Sequence, residues 1–276
     1  VLAAVAGETI TGSEDAVGLM NRTSMASPHH AGAAGLVRQA RPTWSVAEIK
    51  SALMMSAKQE GYREDSVTAG TPFDRGAGRV QVDQAVRAGL VLNETRANFI
   101  AANPTAGGDV SALNLPSLGK ANCAERCVFT RVFRSTQGVR QAWTVKLQGL
   151  TGTVSPALFT LNPGESKAVK ITVNSTSLPA NGAWNFGNVV LTPQAVGTLA
   201  QPTLRLPVAV AVPPPRIVLT PQAINVSTPA GSNALANVRV SNTGGSRLQF
   251  QVDNTGTGTS TLYDAPVGAV SSGFRS

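Results

Sequence analysis

The sequence predicts an α/β segment followed by an all-β antiparallel sandwich and a second, incomplete β module. Three observations carry this. Apolar residues recur at helical spacing up to about residue 92 and alternate with polar ones beyond about residue 95. Pro213-Pro214-Pro215 interrupts the alternating part. The 276 residues hold Gly 27 and Pro 17 against only 14% charged residues, a balance of turns and apolar strands that sets disorder and coiled coil aside. At about 100–200 residues per domain, the length suits two domains and part of a third. The expected units are residues 1–95, 96–212 and 216–276. Val1 stands where a Met would, with no signal-peptide pattern after it, so the start is expected to be processed or cut.

The helical part opens at Thr23 or Ser24, where an alanine- and glycine-rich segment runs to about Gln39 and stops at Arg41-Pro42. Ser45-Val46-Ala47-Glu48 has the capping-box spacing, in which Ser45 and Glu48 satisfy each other's orphan backbone N–H groups. Val46, Ile49, Leu53 and Ala57 then follow at helical spacing and are expected to form one buried stripe. Gly76-Ala77-Gly78-Arg79-Val80 reads as a tight glycine turn, and Val82 to Ala88 as a short helix closed by Gly89.

Beyond about residue 95 several short strands are expected, as in an antiparallel sandwich. Val128, Thr130 and Val132 alternate with Phe129, Arg131 and Phe133; Trp143, Val145 and Leu147 share one face, and so do Val169, Ile171 and Val173. Further strands are expected at Phe186 to Leu191 and Thr203 to Val212, with Asn162-Pro163-Gly164 as one of the turns. The triple proline is a stiff spacer, and Ile217 to Leu219, Ala234 to Ser241 and Leu248 to Val252 begin the last module, with a turn at Asn242 to Gly245.

Charge and cysteine content exclude several functions. The net charge of +8 suggests an anionic partner, yet residues 1–100 carry ten basic and ten acidic residues, so the whole excess lies beyond them. No two basic residues are adjacent, and nucleic-acid binding is therefore not expected. No apolar run reaches the ~20 residues of a membrane span. Cys123 and Cys127 are too few for a zinc site and wrongly spaced for a Cys-x-x-Cys redox pair. A small local disulfide is favoured over two free thiols, which points outside the cytoplasm. No metal-ligand cluster and no phosphate-cradling loop stand out, so neither metal nor cofactor is expected.

The stretch with chemistry in it is Asn21-Arg22-Thr23-Ser24-Met25-Ala26-Ser27-Pro28-His29, followed by Ala31-Gly32-Ala33-Ala34. A serine in the first turn of a helix has an unpaired backbone N–H at the positive end of the dipole, where it can stabilise the oxyanion of acyl transfer. An ordinary N-cap serine would look the same locally. The full string, however, resembles the active-site serine motif of subtilisin-like serine peptidases, usually Gly-Thr-Ser-Met-Ala-Ser-Pro-His. The resemblance continues at Val1-Leu2-Ala3-Ala4, at Arg41 to Ser45 with Ile49 to Leu53, and at Thr71 to Asp74 with Gly76 to Val80. Residues 96–212 are similar to the fibronectin-type-III-like domain of large secreted subtilases, on Asn114 to Ser117 and Leu206 to Val210.

The resemblance implies that Ser24 is the nucleophile of a secreted or extracytoplasmic serine endopeptidase acting on proteins or peptides. Thr23 and Ser24 then form the oxyanion turn, with the Ser24 N–H as one donor. The triad's His and Asp and the side-chain oxyanion Asn would lie N-terminal to this sequence, on a part of the catalytic domain that is a required partner. The only histidines, His29 and His30, follow Ser24 by five and six residues. At 100° per residue they sit about 140° and 240° around the helix from it, out of reach of its oxygen. His29 matches the family's structural histidine. The chain alone is therefore expected to be inactive. Arg22 departs from the family pattern, which has Gly there; an Arg could strain the turn or block the cleft. The alternative is a degenerate relative whose basic β modules bind substrate, cell surface or a partner.

Overall fold

The computed structural model describes residues 2–4, 17–19, 23–194, 201–225, 227, 229–230, 232, 236–253, 260–265 and 270–272. Strands β1 (Leu2–Ala4) and β2 (Val17–Leu19) pair antiparallel ahead of helices α1 (Thr23–Ala40), α2 (Val46–Met55), α3 (Pro72–Arg75) and α4 (Val82–Val86). Strand β3 (Leu90–Leu92) and helix α5 (Arg96–Ala101) follow, then β4 (Leu118–Lys120), β5 (Arg126–Ser135), β6 (Gln141–Gln148) and β7 (Gly152–Ser155). Next come β8 (Leu158–Leu161), β9 (Ser166–Asn174), β10 (Trp184–Pro193) and β11 (Leu204–Ala211). Beyond the prolines lie β12 (Ile217–Thr220), β13 (Arg239–Asn242), β14 (Leu248–Asp253), β15 (Ser260–Ala265) and β16 (Val270–Ser272).

Two sheets dominate, one in the order β4-β11-β10-β6-β8 and one in the order β3-β5-β9-β7. Pairing is antiparallel except that β4 runs parallel to β11, with Leu118 opposite Val208. Alternation works as the sequence suggests: Phe129, Arg131 and Phe133 of β5 point inward, and Val128 and Val132 outward. Inward residues of both sheets, including Trp143, Val145, Val169, Ile171, Leu204 and Leu206, belong to one hydrophobic core. Strand β11 is buried along almost its whole length because α2 and α3 lie against it as well. The last strands form two small sheets, β12-β13-β16 and β14-β15. Their core holds Val240, Leu248 and Phe250. The triple proline lies against the turn after β13, where a Cβ on Gly244 or Gly245 would meet Pro214 or Pro213.

Residues 96–112 hold helical turns: Thr95 caps α5 by accepting from the Asn98 N–H at 3.2 Å, and short 3-10 turns follow at Pro104–Ala106 and Val110–Ala112. Three local expectations are corrected. Helix α4 ends at Val86, two residues earlier than expected. Val46 does not join the buried stripe of α2; it is 82% exposed, and Ile49, Ala52, Leu53 and Met55 form the buried face. The reason is the capping box, which places Val46 at the first helical position, beside the cap and away from the core. The expected strand from Ala234 begins only at Arg239, and residues 233–235 lie outside the described residues.

Two charged groups hold the layers together. Glu48 is 5% exposed; one oxygen accepts from the Ser45 N–H at 2.9 Å and the other takes the Arg134 guanidinium of β5 at 2.6 Å. It thus joins the cap of α2 to the sheet. Arg131 is buried among phenylalanines and survives there by donating to four carbonyls, those of Leu115, Ser111, Thr130 and Ser117, at 2.7–3.2 Å. Burial pushes its guanidinium down to about 10, with the Glu94 charge opposing, so it stays cationic at neutral pH.

We expect Glu48→Ala to lose about 2–4 kcal/mol in urea unfolding, because the cap and the buried ion pair go together, while Val46→Ala stays within about 0.5 kcal/mol. Equal losses would contradict this packing. Asp109 gives a pH test. Hydrogen bonds from Ser111, then Lys120, hold its carboxyl down at about 2 from an ordinary 3.8. A depressed carboxyl contributes stability above its unfolded pKa and loses it as pH falls through the folded one. The Asp109 carboxyl resonance should therefore titrate near 2, and Asp109→Asn should flatten the fall in stability between those two values.

Candidate active site

Helix α1 begins at Thr23, which places Ser24 in its first turn, exposed to solvent. Helix geometry leaves the N–H groups of Thr23, Ser24 and Met25 without intrahelical acceptors. No acidic residue occupies that turn, so no side-chain charge offsets the positive end of the dipole there. Among the described residues the Ser24 hydroxyl makes one weak contact, to the Met25 sulfur at 3.5 Å. Pro28 lies inside the helix and lacks an N–H, so the Ser24 carbonyl loses the partner it would have four residues on.

The histidines turn away from the serine. His29 Nδ1 donates to the Met25 carbonyl at 2.6 Å and His30 Nδ1 to the Ala26 carbonyl at 2.9 Å, both along their own helix. A carbonyl can only accept, so each Nδ1 carries a proton. Neither ring meets the Ser24 hydroxyl. Arg22 and Asn21 lie outside the described residues. Ser24 therefore has an electrostatic setting for an oxyanion and, among the described residues, no base.

Only Ala33 and Val37 of α1 are buried, where the helix packs on α2 and α4. Ala31 and Gly32 are exposed, and a Cβ on Gly32 or Gly35 would meet nothing within 4 Å. Beside them an apolar groove of about 620 Å³ runs between α1 and α2, lined by Ala34, Gly35, Ile49, Leu53 and Met54, with His30 and Arg38 also in its wall. Small residues let another chain segment approach closely, yet among the described residues none does.

The flanking motifs are built as tight turns. Thr71 caps α3, and Asp74 closes the box by accepting from the Thr71 N–H at 2.8 Å; hydrogen bonds from Thr71, then the Arg63 guanidinium, hold its carboxyl below the ordinary range. Gly78 has φ 125° and lies so close to the Lys58 carbonyl that a Cβ would overlap it. Farther off, Cys123 and Cys127 form a disulfide with Cα atoms 5.3 Å apart, and Ser175 Oγ donates to the Cys123 carbonyl at 2.6 Å. Among the described residues no group of three His, Cys, Asp or Glu converges as a metal site would require.

Residues 6–80 match the model of the subtilase family. The matched stretch holds β2 and α1 to α3 whole, with Ser24 at the start of α1. The chain is 29% identical over 208 residues to the subtilisin-like protease SBT2.5 of Arabidopsis thaliana, covering 63% of this chain and 25% of that protein. It is 37% identical over 106 residues to the subtilisin-like protease SBT3 of Solanum lycopersicum, covering 36% and 14%. The longer alignment exceeds residues 6–80 and so reaches the strand-rich part. The chain spans about a quarter of the length of SBT2.5 and of the subtilisin-like protease SBT2.6 of Arabidopsis thaliana. Among solved structures, the E. coli chaperone DraB is similar at 14% identity and a TM-score of 0.27, over 52% of this chain and 80% of that one, a score too low to bear on the fold.

Glu48, Arg131 and Arg134 were not singled out as a working set from sequence. A signal existed for Arg131, a charge at an inward position between Phe129 and Phe133, which demands buried acceptors. None existed for the Glu48–Arg134 pair, whose members are 86 residues apart. We expect Ser24→Ala to leave the unfolding midpoint within about 0.5 kcal/mol of the parent, since the hydroxyl is exposed and nearly unpartnered. A larger loss in urea unfolding would mean that Ser24 supports the helix instead of standing free.

Proposed function

We propose that this chain carries the nucleophile of a secreted subtilisin-like serine endopeptidase and, by itself, does not hydrolyse peptides. The observation that carries this is the exposed Ser24 at the uncompensated N-terminus of α1, within the stretch that matches the subtilase family. In the proposed reaction Ser24 Oγ adds to the scissile carbonyl carbon while its proton passes to a histidine base. The oxyanion is held by the Ser24 N–H, the C–N bond then breaks as the histidine returns the proton to the amine, and water releases the acyl group from Ser24. The histidine, its orienting aspartate and a second oxyanion donor would come from a catalytic part that this chain does not hold. The bare small-residue face of α1 and the groove beside it support that reading, since they suit a closely packed neighbour. The disulfide supports an oxidising compartment. The sandwich, proposed as fibronectin-type-III-like over residues 96–212, would brace the catalytic part through β3 and α2.

A second reading rests on Arg22, which stands where the family has Gly. In it the protein is a degenerate relative whose basic β modules bind a partner.

Incubating the chain with a fluorophosphonate should label Ser24 no more than a Ser24→Ala control, because the hydroxyl has no base. Stoichiometric labelling would overturn the proposal that the chain is inactive alone. In a longer chain that includes the His and Asp, Arg22→Gly separates the two readings. A large gain of activity identifies Arg22 as the block, and no change in an already active enzyme rejects degeneracy.

A further inference from the structure

A second cavity, polar and unconnected with the serine, lies where the matched stretch meets the strand-rich part. It encloses about 610 Å³ between the chain after α2, the end of α3, the region of α4 and the start of β11. Three cations line it, Lys58, Arg75 and Arg205, with one carboxylate, Glu60. Lys58 already pairs with Glu60. Arg75 and Arg205 form no side-chain hydrogen bond or ion pair with any described residue, and Arg75 Nε is buried without an acceptor. Gln81 and Thr203 add neutral donors to the wall.

A buried donor without an acceptor is uncommon and asks for a partner. Two guanidinium groups in one concave space raise the local potential and concentrate anions, and each presents a planar fork that fits the oxygens of a carboxylate or phosphate in pairs. The volume falls in the range of small-molecule sites, about 300–1,000 Å³. We infer that this cavity binds a small oxyanion, a phosphate or a carboxylate, which bridges Arg75 of the matched stretch and Arg205 of β11. The ligand would supply the negative charge that the protein leaves out, and would fasten α3 to the sheet at a point where the two arginines otherwise repel.

The test uses the full chain at constant ionic strength, with chloride replaced by inorganic phosphate in one arm and by acetate in the other. An anion that binds only the folded state raises the thermal midpoint with a saturable dependence on concentration. A saturable rise in the phosphate arm alone assigns phosphate, in the acetate arm alone carboxylate, and in both the shared oxyanion chemistry. The rise should vanish in the Arg75→Gln, Arg205→Gln double variant, which also removes any general salting effect of phosphate from the comparison. Titration calorimetry of the unaltered chain should show one saturable site, with affinity weakened at least about tenfold by Arg75→Gln alone. An equal rise in the double variant, or no saturation by about 10 mM of either anion, overturns the inference.

Discussion

Leu90, Val91 and Leu92 are buried on every side, and that burial constrains the rest of the molecule. They form the edge strand of a sheet whose other members begin more than thirty residues later, with Leu90 opposite Ser135 and Leu92 opposite Phe133. On their other side lies α2, whose Ser51 hydroxyl accepts from the Leu92 N–H at 2.9 Å. Chain just before them is equally confined: a Cβ on Gly89 would overlap Gln201 and press into the Trp143 ring. The helical segment and the two large sheets therefore share one core, and neither can shift without exposing these residues.

Charge is used sparingly and at the seams. Glu48 and Arg134 span helix and sheet, while Arg131 gathers the carbonyls of the turns between residues 111 and 117 onto β5. A buried ion pair is not cheap to form, and its gain is orientation: it admits one arrangement of α2 on the sheet. Phe73 of α3 contributes a third seam, edge-on to Trp184 at 5.0 Å and to Phe186 at 5.3 Å. Helix α1, by contrast, buries Ala33 and Val37 in its second half, where Arg38 also donates to the Trp44 carbonyl. The Ser24 end of the helix is exposed to solvent.

Sequence reading succeeded where the physics is local. The box of Ser45 and Glu48 is a three-residue device, and it forms as its spacing requires. The alternation of β5 and β9 transmits burial directly, so Phe129, Ile171 and their neighbours could be placed inside without a structure. The serine motif was legible because seven adjacent residues, Thr23 to His29, carry it. Expectations failed at the ends of elements, where α4 stops at Val86. Val46 has the right spacing for the core and faces solvent, because it stands at the first helical position beside the cap.

The sequence by itself determined the nucleophile candidate, the helix caps and the inward face of each long strand, since each depends on residues within a few turns of chain. Only the tertiary structure decided that residues 90–92 complete a sheet of the strand-rich part, that Arg131 is a buried clasp, and that Arg75 and Arg205 face one cavity. Those facts join residues tens to more than a hundred positions apart, and their energies arise from desolvation and packing that no local pattern records.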